Sequence, residues 1–299
     1  MPAEEDIAVL IKGLKNPNAL IRAKSARGLA KAGPQARFAF GQLMIAVDDE
    51  EQAVREAAVQ AIAGIGAEAV PTLVQFLTHS DKYVRRNAVW GLGKLGPAAA
   101  SALTALCTAL MDGDPRTASG AAQAIGAMGA AGAKAIPALD TAMRGANVVL
   151  CRLASKALSQ IGPPALPILL KALRDADPFI RSEAAIALGW MGEQAAPAAS
   201  ALMAVIDSFR PKPPTPHRPA SHSLLQVGGS SKTVTPPAPP VPDDNASTSE
   251  TSRVAAIQAL GRIGKAAGLA ESLLEDIALQ EPEPFKGAAL LSLRQIRGE

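Results

Sequence analysis

A thirteen-residue pattern recurs eight times along the chain and confines it to a narrow class of folds. VRRNAVWGLGKLG at 84–96 returns as IRAKSARGLAKAG (21–33), VREAAVQAIAGIG (54–66), TASGAAQAIGAMG (117–129) and LCRLASKALSQIG (150–162). It returns again as IRSEAAIALGWMG (180–192), SRVAAIQALGRIG (252–264) and FKGAALLSLRQIR (285–297). The closing positions are separated by 33, 30, 33, 33, 30, 72 and 33 residues. Self-similarity at a period of about 20–50 residues is the signature of a solenoid.

The columns of the pattern show what each copy builds. One column reads Leu29, Ile62, Leu92, Ile125, Leu158, Leu188, Leu260 and Leu293. Four positions earlier stand Ser25, Ala58, Ala88, Ala121, Ala154, Ala184, Ala256 and Ala289. Residues four apart share a helix face, so the two columns form a buried stripe. The small column admits a neighbouring helix and the branched column fills the space between. A closing Gly in seven copies marks the helix end, where a left-handed backbone costs glycine little. In the eighth, Arg297 takes that place and Gly298 follows.

Start signals are equally regular. Asn18, Glu51, Asp81, Asp114, Asn147 and Asp177 lie three residues ahead of the pattern, and Pro115 and Pro178 follow two of them. Asp and Asn suit the N-cap and Pro the first helical position. A second apolar helix precedes each copy, for example AVPTLVQFL at 69–77 and ALPILLKAL at 165–173. The 33-residue repeats add about one turn there, as in PAAASALTALCTAL at 97–110. One helix pair cannot bury its own apolar face, so the units must stack.

The run Asp–x–x–[VI]–Arg–x–x–Ala–x–x–Ala–[LI]–Gly–x–[LIM]–Gly, clearest at 81–96 and 177–192, resembles the short HEAT-like repeat of the phycobilisome-lyase (PBS-lyase) class. The resemblance implies an all-α fold: an α-solenoid superhelix of about eight HEAT-like helix pairs, in a single domain over 4–298. That class holds lyases, hydroxylases and plain binding scaffolds, so it implies a fold more sharply than an activity. Deoxyhypusine hydroxylases on this architecture carry iron on His–Glu pairs. Here His79, His217 and His222 are followed by Ser, Arg and Ser, so that site is excluded. His79 is expected to be a solvated turn residue. No P-loop, GxSxG, HExxH or dinucleotide fingerprint is present, and no cofactor is expected. In GLGKLG at 91–96 the glycines coincide with a small column, an exposed position before Lys94 and the helix stop.

Composition narrows the functions further. A net charge of +3 and an aromatic content of 3% do not make a nucleic-acid surface, which needs a dense basic patch. Cys107 and Cys151, 44 residues apart, have no metal-ligand spacing and fit a reduced cytoplasmic protein. MPAEEDIAVLIKGLK at the N-terminus lacks the basic start and apolar run of a secretory signal. The long uncharged runs 95–111 and 117–133 stay in register with the repeat, so no membrane span is expected.

The step from Gly192 to Gly264 exceeds one repeat by 39 to 42 residues. The surplus, SFRPKPPTPHRPASHSLLQVGGSSKTVTPPAPPVPDDNAST at 208–248, holds ten of the 24 prolines. PAASALMAVID (197–207) supplies the first helix of the seventh repeat and SRVAAIQALGRIG the second. The segment is therefore expected to be a disordered Pro/Ser-rich insertion over 208–250, between paired helices of one repeat. RPKPPTP at 210–216 has the R-x-x-P-x-x-P spacing of proline-binding-domain ligands.

Arg22, Arg55, Arg85, Arg181, Arg253 and Lys286 share one column, whose recurrence points to ion pairs with acidic turn residues of the same or next repeat. Function is sought where the repeats vary. Three columns spaced i, i+3, i+7 on the pattern helix form a mostly polar face, which in HEAT-like arrays lines the concave side. Candidate partner-binding residues there are Lys24, Arg27, Lys31, Trp90, Lys94, Lys156, Trp190 and Arg262. A Trp in a column otherwise polar is expected to be exposed, and exposed Trp and Arg are typical binding hot spots. The sequence thus reads as a non-catalytic scaffold for a protein or peptide partner, an acidic one suiting its lysines and arginines. A PBS-lyase-like enzyme subunit is the alternative, and a nucleic-acid-binding regulator a weaker one.

Overall fold

The computed structural model describes residues 4–208 and 244–299, which form sixteen α-helices and no strand among the described residues. They fall into eight pairs. The first four are α1 (Glu4–Gly13) with α2 (Ala19–Ala32), α3 (Phe40–Ala46) with α4 (Gln52–Gly64), α5 (Val70–Phe76) with α6 (Lys82–Leu95), and α7 (Leu103–Ala109) with α8 (Pro115–Ala127). Then come α9 (Ile136–Met143) with α10 (Val148–Ile161) and α11 (Leu166–Ala172) with α12 (Pro178–Met191). The array closes with α13 (Ala199–Ser208) and α14 (Asp244–Ile263), then α15 (Glu271–Gln280) and α16 (Phe285–Arg297). Even-numbered helices carry the thirteen-residue pattern.

Local chemistry sets the helix boundaries. Side chains of Asn18, Asp81, Asp114, Asn147 and Asp177 accept hydrogen bonds from backbone N–H groups in the first turn that follows. Glu51 occupies the same place without such a bond. At the other end Gly33, Gly66, Gly96, Gly129, Gly162, Gly192, Gly264 and Gly298 all have positive φ. At Gly33, Gly66, Gly96, Gly162 and Gly192 ψ lies between −128° and −153°, a region closed to residues with a Cβ. Gly298, which follows Arg297 in the last repeat, has φ 78° and ψ 32°, the left-handed helical conformation.

The alternation of 30 and 33 residues has a simple structural cause. Seven residues of 3-10 helix lead into the first helix of the long repeats, as in Gly96–Ala102, but three in the short ones, Ala67–Ala69 and Pro163–Ala165. Counted from the closing Gly to the next α-helix, the difference is three residues, one 3-10 turn. The last residue of each 3-10 segment is a fully buried Ala, at 39, 69, 102, 135, 165, 198 and 270. This column was not evident from the pattern alone.

The expected stripe is the core. Ala58, Ala88, Ala121, Ala154, Ala184, Ala256 and Ala289 are fully buried, as are the Leu and Ile of the branched column up to Leu260; Ser25 and Leu293 are nearly so. Each such Leu or Ile contributes roughly 2 kcal/mol of transfer free energy. Pattern helices pack directly on one another from α2 to α16, whereas first helices of successive pairs meet mainly through the 3-10 segments. The pattern helices thus form the tighter of the two rows.

Glycine makes that row tight. A Cβ on Gly93, Gly126, Gly189 or Gly261 would stand 2.8–3.3 Å from the Cα of Ala124, Ala157, Ala259 or Ser292 on the next pattern helix. Gly93, expected at an exposed position, is thus a contact residue. The first of the three polar columns is likewise largely packed: Ala57, Glu183, Ala255 and Ala288 are buried, and Lys24 alone in that column is exposed. Each helix turns this column toward its predecessor in the stack, and α2 has no earlier pattern helix to cover it.

The basic column ties repeats together. Arg22 donates to both carboxylate oxygens of Asp49 at 2.8 and 2.9 Å and, through Nη1, to the carbonyls of Asn16 and Pro17. Arg85 does the same with Asp112 and with the His79 and Ser80 carbonyls. Arg55 pairs with Asp81 at 2.6 Å and Arg253 with Glu281 at 2.5 Å. In the fifth repeat Cys151 replaces the arginine; its thiol lies 3.0 Å from the Gly145 carbonyl and Arg144 takes over the pairing with Asp175. His79 is more than a solvated turn residue. Its Nδ1 accepts from the Asp81 N–H at 3.0 Å and its Nε2 lies 2.8 Å from Asp48.

In the seventh repeat, α13 ends at Ser208 and α14 begins at Asp244. Residues 244–250, expected to belong to the insertion, are helical. They follow the insertion's last proline, Pro242, contain neither Pro nor Gly, and open with an acid, which favours a helix N-terminus. Residues 209–243, with the RPKPPTP spacing, lie outside the described residues.

Candidate functional site

All eight sequence-derived candidates are exposed. Trp90 and Trp190 keep 46% and 47% of their surface in contact with solvent, far more than packing residues of that size. They project from the second and third of the three polar columns, which remain open on the pattern-helix row. Those columns read Arg27/Lys31, Gln60/Gly64, Trp90/Lys94, Gln123/Ala127, Lys156/Gln160, Ile186/Trp190, Gln258/Arg262 and Leu291/Gln295. Five cations stand there and no carboxylate does, although the chain holds 27 acidic residues against 30 basic ones.

The structure does not gather the eight into one site. Trp90 and Lys94 stand together on the wall of a groove of about 820 Å³ that spans α6, α8 and α10. Lys24, Arg27 and Lys31 form a separate group on α2, and Lys156 lies on α10 outside the groove lining. Trp190 and Arg262 are neighbours on α12 and α14; the Arg262 Cδ lies 3.3 Å from where a Cβ on Gly189 would be.

Local sequence explains why the groove opens where it does. Helix α8 presents Ser119, Gly120, Gln123 and Ala127, which make a low floor between the Trp90 wall of α6 and Val149 and Leu153 of α10. Gly120 also lets α8 approach α6 closely, since a Cβ there would meet Val89 at 2.6 Å. Arg86, Arg116 and Val149 line the groove but escape a reading by pattern columns, because each is variable or stands near a helix start. Arg86 is committed to structure. It donates to Asp114 at 2.8 and 2.5 Å, while Asp114 caps α8 through the Thr117 N–H and hydroxyl. These hydrogen bonds, that from Arg86 foremost, hold the Asp114 carboxyl well below the usual carboxylate range.

The family profile for HEAT repeats matches residues 41–109, 70–154 and 141–210, more than half of the chain. The chain belongs to the HEAT-repeat family. Among solved structures, this HEAT protein is similar to YibA of Escherichia coli, at 15% identity and TM-score 0.49 over 100% of this chain and 93% of that one. It is also similar to the complex of CpcE and CpcF of phycocyanin lyase from Nostoc sp. PCC7120, at 20% identity and TM-score 0.43 over 97% and 94%. Computationally designed armadillo repeat proteins for modular peptide recognition match at 21% identity and TM-score 0.42, over 62% of this chain and 100% of theirs. At such identities the likeness concerns the fold alone. A comparison with curated proteins gives no match.

Elsewhere in the HEAT array the reactive groups are packed away. Burial pushes the thiol pKa of both Cys107 and Cys151 up, which lowers their nucleophilicity. Glu183, 4% exposed, has its pKa raised by burial, with Arg152 3.6 Å away as its partner. Among the described residues no three His, Cys, Asp or Glu side chains are placed to hold a metal ion, and no helix is long and apolar enough to cross a membrane.

Proposed function

We propose that the protein is a non-catalytic HEAT scaffold that binds a protein or peptide along its inner face. One observation carries this reading: the open inner columns hold two half-exposed tryptophans and five cations without a single carboxylate. Structural arginines elsewhere are paired, as Arg22, Arg55 and Arg85 are, whereas the five cations of these columns make no ion pair among the described residues and are available to a partner. Exposed Trp set among polar neighbours supplies large contact area at low entropic cost. An extended, open surface suits a chain better than a small molecule. Partners recovered with the wild type should be lost with the Trp90→Ala/Trp190→Ala variant at unchanged helicity; equal recovery with both would contradict the reading.

A second reading, a bilin-lyase-type subunit, has the groove in its favour: its volume falls within the range of small-molecule sites and it carries cations for a pigment's carboxylates. Visible absorbance of the protein after co-expression with a bilin tests it. A colourless product would count against that reading.

A further inference from the structure

Resting on the inner-face reading, we propose that the groove over α8 is its anchoring subsite, and that the occupant is an extended acidic peptide segment with an apolar side chain at its centre. The apolar side chain sits between Trp90 and the Val149/Leu153 wall, above the small residues of α8. Flanking carboxylates meet Lys94 and Arg116.

The charges select the occupant. Arg86, Lys94 and Arg116 line the groove, and no Asp or Glu does. Arg86 is consumed by Asp114, whereas Lys94 and Arg116 make no ion pair among the described residues. The Lys94 ammonium instead lies 5.6 Å above the Trp90 ring, a soft contact that an incoming carboxylate can replace or share. Lys94 stands in the last turn of α6 and Arg116 in the first turn of α8, so carboxylates of a ligand seated beside Trp90 find a cation on each of two adjacent helices. A nucleic acid fits less well: a groove with one aromatic ring and two free cations gives neither a stacking series nor a dense phosphate track.

Geometry sets the length. Neighbouring packed helices lie about 8–10 Å apart, so a segment crossing from α6 to α10 spans roughly 20 Å. At about 3.3 Å per extended residue that takes about six residues.

The chain holds two tryptophans, so Trp190→Phe leaves Trp90 as its only one. Its emission is titrated with a blocked decapeptide of glutamates around two central leucines. The same peptide with central alanines, a lysine counterpart and a decathymidylate serve as comparisons. The glutamate–leucine peptide should shift Trp90 emission to the blue and saturate. Its affinity should fall at least fivefold with central alanines and at least tenfold in Lys94→Glu/Arg116→Glu, a surface variant whose helicity is checked by circular dichroism. Equal binding of the lysine peptide or the decathymidylate, or undiminished binding by the double variant, would overturn the proposal. Trp90→Phe, with Trp190 as reporter, separates the two levels. Acidic-peptide binding sensed at Trp190 and indifferent to Lys94→Glu/Arg116→Glu keeps the scaffold and removes the groove; no binding by any peptide removes both.

Discussion

Arg85 and Asp112 meet across the junction of the third and fourth repeats, with Nε and Nη2 donating to the two carboxylate oxygens at 2.8 and 3.1 Å. The same guanidinium closes the turn behind it through the His79 and Ser80 carbonyls. One side chain therefore fixes both the turn within its repeat and the stacking onto the next. Both side chains are mostly buried, so the pair is screened less than a surface bridge. Arg85→Ala is expected to cost roughly 2 kcal/mol, with about 1 kcal/mol of coupling to Asp112→Ala. A double-mutant cycle in urea melts checks this; additive losses would show that the turn contacts alone matter.

The glycines separate into classes with opposite outcomes. Gly261→Ala places a Cβ 2.8 Å from the Ser292 Cα, against backbone, and should destabilise by about 1–3 kcal/mol. Gly192→Ala, at φ 58°, should lose about 1–2 kcal/mol through strain. Gly41 in α3 faces open space, so Gly41→Ala should gain up to about 1 kcal/mol. Thermal melts of the three variants rank them; a stabilised Gly261→Ala would contradict the close helix approach.

Two sets of carboxylates give opposite pH dependence. Asp49, Asp114 and Asp175 are held below the ordinary 3.8. For Asp114 the chief cause is Arg86. For Asp49 and Asp175 burial pulls upward and is outweighed by the Arg22 or Arg144 and backbone N–H bonds. A depressed folded pKa means stability that is complete above the unfolded value and lost as pH falls through the folded one. Glu183 is the reverse, raised above the ordinary 4.5 by burial. Its favourable term is complete below that value and disappears as pH rises through the folded pKa. Glu183→Gln should therefore stabilise by about 1 kcal/mol at pH 7.5 and be neutral at pH 4. Melting curves at both pH values decide; a loss at pH 7.5 would show that the Arg152 pair outweighs burial.

The repeat was legible because solenoid packing reuses one contact: the Ala and Leu columns are buried at every copy, and the Asp and Asn caps and closing Gly fall where the pattern puts them. The arginine column was legible for the same reason. What a single helix does not encode is how neighbours lie across it. Gly93 and Glu183 sit on a helix side that looks polar or open by 3.6-residue periodicity, yet adjacent pattern helices cover them. The groove was hidden likewise, since it depends on the relative size of side chains on three helices. Trp90 marked one wall, but its floor at Gly120 and Ala127 and its second free cation, Arg116, emerge only when α6, α8 and α10 stand side by side.

Site-specific photocrosslinking tests the inner face as the binding surface most directly. Benzoylphenylalanine is placed at Gln60, Gln123 or Gln258 on pattern helices and at Gln75 or Lys171 on first helices, then irradiated in lysate of the native host. The same partner adduct should form from the inner positions and be absent from the outer ones. Adducts from Gln75 and Lys171 alone, or equally from all five positions, would contradict the inner face as the binding surface.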